Sequence, residues 1–586
     1  MRHEALLLTR DSLSGPDCKI AKLLEFFGVR WHAETTAQFL GRNCTKHSKM
    51  TQLFCSSKIF LELLTEFAPD GDRGQDWREH VHSVFVYGGD DPTQLETLLR
   101  HVTGNDTTTV NEPNGWARNF FVAKDTELCG AMAGVQVTAS SVSNAPVVVR
   151  SRSSQSGTRE LVSDEHGGIF LKVEYRGVFV FLSTSGQIID LDSELATGVF
   201  DIRDHVPAAL PIVLYIKWAF ADVCWEPAEA NACLVIDDPL LKPSYGCVNF
   251  EELLALMERH RFSTNIAFIP WNWRRSNSRV VGLFNQKPEH YSLSIHGCDH
   301  TAAEFGSHDR ERLRRMTREA VDRMSSHETQ TGIHHDRIMV FPQGVFSEAA
   351  MDVLKRSNFT AAVNNDVMSA DPHPQAVTIS DVWDIAVMRY KGFPMFTRRD
   401  PCEGIENFAF DILLGKPCVV SIHHDFCRDH YTHLLDFIDR LNALNCPLSW
   451  RSLGEVVRRG CRQRQLSPGV RQTEMYGAEL RLENRSGQRE RYLIRRRECE
   501  PSAIKEICDG SGPIAWNCVN DHINFETELG SGQSKTIGIR FHEFAGNGYS
   551  GENVSYRFKA MLRRYLSEVR DNYIVKNNLH LPDLFG

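Results

Sequence analysis

The chain lacks any C-x-x-C pair, and its 16 cysteines are scattered over 586 residues without framework spacing. That argues against a disulfide scaffold and for reduced thiols. It lacks an excess of basic residues: the formal net charge is −9 and the pI about 6.3, so nothing global favours a nucleic-acid partner. It lacks an export-type apolar stretch near Met1, because the run Ala5–Leu8 is far too short. A cytoplasmic protein is the expectation. It also lacks a charge-free run long enough for a membrane span. The most apolar stretch, Val206–Trp225, contains Lys217 and Asp222 and reads as a buried element. No internal repeat or low-complexity tract is present. With 42% hydrophobic and 24% charged residues, the composition is that of several packed globular cores.

Three regions follow from patterning, with boundaries at 1–225, 226–465 and 466–586. In the first, strand-like Ala5–Thr9, Leu53–Ser56 and Val81–Tyr87 alternate with helix-like Ile20–Phe27, Ile59–Phe67 and Pro92–Val102, which predicts a parallel α/β layer. The Gly88–Gly89 turn has no phosphate-loop spacing around it and reads as a plain loop. Ile169–Tyr175 and Val178–Leu182 flank Arg176–Gly177, a hairpin signature. No role is assigned to this region. In the middle, Ala232–Ile236, Asn265–Ile269, Tyr291–Ile295, Ile338–Phe341 and Val419–Ile422 read as strands. Phe250–His260, Asp309–Met324 and Ser347–Ser357 read as helices, which indicates a β/α barrel or open parallel sheet. Gln463–Glu474, with Pro468–Gly469, reads as a linker. Beyond it, Ala478–Leu482, Arg491–Arg495 and Thr536–Phe541 alternate as in a small antiparallel β-sandwich. A final amphipathic helix spans roughly Val554–Asp571. Its stripe of Phe558, Met561, Leu562, Tyr565 and Val569 is expected to dock on the protein's own core.

The chemistry concentrates in the middle region. Asp237–Asp238 ends an apolar run, and about sixty residues later His296 and His300 stand four apart in Ser294–His300. Asp, His and His form a three-ligand set with an open position, as catalytic zinc sites use. Each piece alone has a plain rival. The acidic pair could cap a turn before Pro239, and the histidines could be ordinary loop residues. Cys298 is expected to point away from them. Cys427, His430 and His433 have ligand spacing but read as the exposed start of a helix. Arg458, Arg459, Arg462 and Arg464, and Arg495–Arg497, read as solvated faces.

In order and spacing, residues 226–465 resemble the NodB-type polysaccharide deacetylases, carbohydrate esterase family four, whose five motifs sit on a distorted β/α barrel. Asp237–Asp238 is similar to the first motif and His296–His300 to the second, with Gly297 in place of a hydroxyl residue. Val340–Phe341–Pro342–Gln343–Gly344 is similar to the third, Asp381–Val382–Trp383–Asp384 to the fourth, and Ile422–His423–His424 to the fifth. The resemblance implies Asp237 as general base, Asp238, His296 and His300 as ligands of one divalent metal (zinc being expected), and His424 as general acid. The backbone N–H of Gln343, after Pro342, would face the oxyanion, and Trp383 would pack beside His424. Trp383 reads equally as a core aromatic, and His423 is an adjacent rival to His424. Such an ion would polarise the acyl oxygen and lower the pKa of bound water, while Asp237 takes its proton. The implied reaction is removal of an N-acetyl or O-acetyl group from a sugar or glycan. Two alternatives stand beside it: a catalytically impaired scaffold or glycan-binding protein, and a hydrolase of a non-sugar C–N bond on the same barrel. The main departure is Val340, which occupies the place of the third-motif arginine that orients the catalytic aspartate. Arg337 and Arg389 are candidates to replace it.

Overall fold

A computed structural model describes residues 4–41, 51–66, 77–104, 107–111, 118–139, 146–151, 157–544 and 554–575. The chain forms two compact units, Met1–Ser193 with Asp201–Trp225, and Glu194–Phe200 with Glu226–Gly586.

The first unit is one mixed sheet with helices. Trp31–Thr35, Glu4–Thr9, Thr51–Ser56, Val81–Tyr87 and Val178–Ser183 pair in that order, all parallel. The predicted strand–helix alternation is present, with helices Gly15–Phe26, Ser57–Glu66 and Pro92–Thr103; Phe67, placed at the end of its helix by periodicity, lies outside the described residues. The sheet is not parallel throughout. At the Arg176–Gly177 turn, both residues with positive φ, the chain reverses, and Gly167–Tyr175 begins an antiparallel extension. The apolar stretch after Asp204 forms the helix Val206–Ala219, almost wholly buried, with Tyr215 against Phe54, Phe85 and Phe181. Among the described residues no helix is long and apolar enough to cross a membrane.

The second unit is built on a curled parallel sheet. Asn231–Asp237 lies between Cys418–His423 and Thr264–Phe268, followed by Tyr291–His296, His335–Val340, Ala361–Asn364 and Met395–Thr397. Just past the last of these, Arg399 forms a parallel bridge to Val420, which draws the open edge towards the first strands and produces a distorted barrel. Burial explains why the five strands read from sequence were legible: all seven positions of Asn231–Asp237 are buried, as parallel strands require. Ala361–Asn364 and Met395–Thr397 escaped notice because four- and three-residue strands carry no period.

The segment 463–474 is not a linker. Cys461–Ser467 and Val470–Met475 form a hairpin around Pro468–Gly469, and Gly469 takes the positive φ the turn needs. This hairpin belongs to a six-stranded sheet that faces a four-stranded one across an apolar core including Tyr492, Ile494, Ile537 and Phe541. The sandwich is antiparallel except for one parallel pair, Val470–Met475 with Glu490–Arg497.

Most residues of the basic stretches are paired rather than solvated, though Arg497 is exposed as expected. Arg458 pairs with Asp336 and Glu479, and Arg459 with Glu229 and Glu455. Arg496 is fully buried. With Lys355 it clamps Glu498 at 2.8 and 2.6 Å, and it donates to the carbonyls of Tyr476 and Gly392. The last helix, Val554–Val569, differs from expectation in its orientation. It docks on the barrel, but by its polar side. Phe558 (60% exposed), Leu562 and Val569 are exposed, Tyr565 lies half exposed against Trp271, and Ala560 and Arg564 are buried. The amphipathic period was read correctly and its orientation inverted.

Candidate metal centre and cleft

The C-terminal ends of the barrel strands carry the expected residues, where a β/α barrel places its chemistry. Asp237 ends its strand and His296 ends the next but one. Asp238 follows at φ 80°, a left-handed conformation rare for a residue with a side chain and rarer still before proline. His300 and Gln343 also have positive φ. Strain of this kind gathers where a site over-determines its backbone.

Asp238, His296 and His300 offer one ligand atom each, all within 4.8 Å of one another. Asp238 Oδ1 lies 3.1 Å from His300 Nε2 and 3.4 Å from His296 Nε2. That oxygen is buried and accepts no hydrogen bond among the described residues. His296 Nδ1 lies 2.9 Å from the Val340 carbonyl, to which only an N–H can donate, so Nε2 keeps its lone pair for a ligand. One carboxylate oxygen and two imidazole nitrogens around an unsatisfied acceptor fit a divalent ion. Burial opposes charge on both Asp238 and His296. His300 and His296 outweigh it at Asp238 and hold that carboxyl well below the ordinary carboxylate range, while Asp238 and Asp237 outweigh it at His296 and raise the imidazole.

Cys298 plays no part in this set. It is buried, with its Sγ 3.4 Å from the Arg323 guanidinium. The loop that carries His300 is organised by Glu304, which is 1% exposed. Its carboxylate accepts from the backbone N–H groups of Cys298, Asp299, His300 and Thr301 at 2.7–3.3 Å. Gly297 makes this possible. A Cβ there would overlap Glu304 and Pro342, and φ is +65°, so the hydroxyl residue expected by resemblance has no room.

Neither Arg337 nor Arg389 replaces the absent arginine: Arg389 pairs with Asp381, and Arg337 reaches the Ser357 carbonyl. Arg398 lies beside Asp237 instead. Its two terminal nitrogens donate to the two carboxylate oxygens, each at 2.7 Å, and its side chain is 4% exposed. Burial pushes the Asp237 carboxyl upwards, but Arg398, with His296 and His423 nearby, holds it below the ordinary carboxylate value. Val340 belongs to the apolar cluster behind the sheet, with Val235, Val363 and Phe396, and that position has no space for a guanidinium. The available signal was the apolar run Phe393–Phe396 ending in Arg398, which has the same strand-then-charge form as Ile236–Asp237.

Across the cleft, His424 is 2% exposed and packs edge-on against Tyr245, with His423 as its other ring neighbour. His423 is half exposed, so of the two histidines it is the one facing solvent. Gly246 presses on the His424 ring, and a Cβ there would overlap Nδ1. Trp383 packs edge-on against Phe200 and Phe410 rather than on His424. Pro342 and Gln343 lie at the end of the His335–Val340 strand, and the Gln343 Oε1 accepts from the Ala303 N–H at 3.0 Å. Among the described residues no second cluster of metal-type ligands occurs, and the Cys427, His430 and His433 group is not one.

No family model and no curated protein matches the sequence. Solved structures do show likeness. Agd3, a carbohydrate deacetylase, is 10% identical with a TM-score of 0.46, over 92% of this chain and 98% of that one. A protein of Mycobacterium smegmatis assigned to the polysaccharide deacetylases is 13% identical with a TM-score of 0.28, over 39% of this chain and 92% of that one. A family-four pseudoenzyme of Bacillus anthracis is 11% identical with a TM-score of 0.25, over 39% and 66%. Similarity at this level carries no functional weight.

Proposed function

We propose that this protein is a metal-dependent hydrolase of the NodB-type deacetylase kind, removing an N-acetyl or O-acetyl group from a sugar or glycan. The supporting observation is the set of Asp238, His296 and His300 in a buried triad beside Asp237, whose carboxylate is held ionised by Arg398. Asp238, His296 and His300 would hold the ion. When bound, it supplies a Lewis acid that lowers the pKa of water and polarises the acyl oxygen. Asp237 takes the proton of the attacking water, because its low pKa keeps it ionised at neutral pH and Arg398 fixes its direction. The backbone N–H of Gln343 faces the developing oxyanion. His424 gives a proton to the leaving nitrogen or oxygen. Arg398 supports this reading over the impaired-scaffold one, since it supplies the partner whose loss motivated that alternative.

Acetate release from acetylated chito-oligosaccharides, with and without added zinc, tests the proposal. Metal-dependent release that disappears in His296→Ala is expected. Release that persists in that variant, or that ignores metal, refutes it. Hydrolysis of small non-sugar amides but not of oligosaccharides would favour the same barrel acting on another C–N bond.

A further inference from the structure

The final segment contradicts its own hydrophobic pattern. Phe558, Leu562, Leu566 and Val569 are each 43–60% exposed, while Tyr565, half exposed, packs edge-on against Trp271 and beneath the Arg275 guanidinium. The side that docks is polar. Arg564 is 8% exposed and donates to His300 Nδ1 at 3.5 Å. Asp571 is 1% exposed; its Oδ1 lies 3.5 Å from His424 Nε2 and its Oδ2 accepts from the Tyr245 hydroxyl at 2.8 Å. The Asn572 side chain accepts from the Gly246 N–H at 3.0 Å, and the Tyr556 hydroxyl donates to Asp299 at 3.0 Å. Glu568 pairs with Lys242 and Arg275.

These contacts fall on the acid side and the ligand side of the cleft together. Asp237, Asp238, His296, His300 and His424 are each at most 9% exposed, and the segment touches His300 and His424 directly. Arg564 and Asp571 stand where a sugar ring would have to approach His300 and His424. Arg564 also places a buried positive charge against a ligand of a dication, an arrangement that opposes loading of the ion. Apart from the packing of Tyr565 on Trp271 and Arg275, the docking is held by ion pairs and hydrogen bonds, several of them partly solvated, and such contacts are individually weak.

We propose that residues 554–575 form an autoinhibitory cover whose Arg564 and Asp571 occupy the cleft in the substrate's place, and that it must lift before substrate binds. The proposal rests on the hydrolase reading for its meaning, but its test does not.

Two variants of the full chain unseat the segment by different means. Glu568→Arg replaces two ion pairs with repulsion from Lys242 and Arg275. Ala560→Trp wedges the buried face of the helix. Amide hydrogen exchange over 554–572 reports release, and labelling of His424 by diethyl pyrocarbonate, read by peptide mass spectrometry, reports access. Tenfold or faster labelling of His424 is expected in a variant whose helix exchanges freely, together with a lower KM and a similar kcat on acetylated chito-oligosaccharide. A freed helix with His424 labelled at the wild-type rate overturns the proposal, as does a helix that stays protected in both variants. Faster labelling without acetate release in any form would leave the cover standing and remove the hydrolase reading.

Discussion

Replacing Arg398 with methionine removes the guanidinium that satisfies both oxygens of Asp237 and leaves a carboxylate buried without its counter-charge. Breaking a buried pair by removing one partner costs about 3–5 kcal/mol. A chain of two units does not define a single unfolding free energy, so the quantity to measure is local. Native-state hydrogen exchange of the Asn231–Asp237 amides in metal-free protein should accelerate roughly a hundredfold to a few thousandfold, at about 1.4 kcal/mol per factor of ten.

The pH dependence fixes the cause. In the native protein the folded pKa of Asp237 is depressed, so its ionised form contributes stability above the unfolded carboxylate value, and that contribution fades as pH falls through the lower folded value. In Arg398→Met, burial, the largest influence, loses its main opponent and the folded pKa rises. The deficit should therefore be larger at pH 7 than near pH 4, where the variant protonates Asp237. The acid limb of kcat/KM should move to higher pH. Arg398→Lys keeps the charge but not the fork, and should recover only part of the loss. Exchange rates within fivefold of wild type at pH 7, or a deficit independent of pH, would refute the reasoning.

Further expectations concern the supports of the site and of the sandwich. Glu304→Ala frees four backbone N–H groups that hold the His300 loop, and metal affinity measured by chelator competition should fall roughly tenfold to a hundredfold. Gly246→Ala sets a methyl group against His424 at a backbone with φ +54°; kcat should fall sharply while metal affinity is retained. Glu498→Gln leaves Lys355 and Arg496 buried without their shared anion, and exchange at the Glu490–Arg497 strand should show a loss of about 3–5 kcal/mol.

Much of the barrel was legible because its longer strands carry buried apolar runs, and two of them end in Asp237 and His296. Asp237–Asp238 and His296–His300 stood out for that reason, and the structure brings the triad together. Arg398 carried only a weak signal, because it follows a strand of three residues, Met395–Thr397, that has no period of its own. Glu304 was not legible, since its role depends on a loop folding around it with Gly297 at positive φ. Arg496 looked like a surface charge because nothing local reveals that Glu498 and Lys355 enclose it. The last helix shows the limit of periodicity most clearly. The spacing of Phe558, Leu562 and Tyr565 identifies a stripe, but which face docks depended on Asp571 and Arg564 finding partners on strand ends more than a hundred residues away in sequence.

The central claim is that Asp238, His296 and His300 hold a divalent ion. Titration of zinc into metal-free protein by calorimetry tests it most directly. One ion per chain is predicted, with binding lost in His296→Ala while the fold persists. A wild-type protein that binds no divalent ion, or a His296→Ala variant that binds it as tightly, would contradict the account.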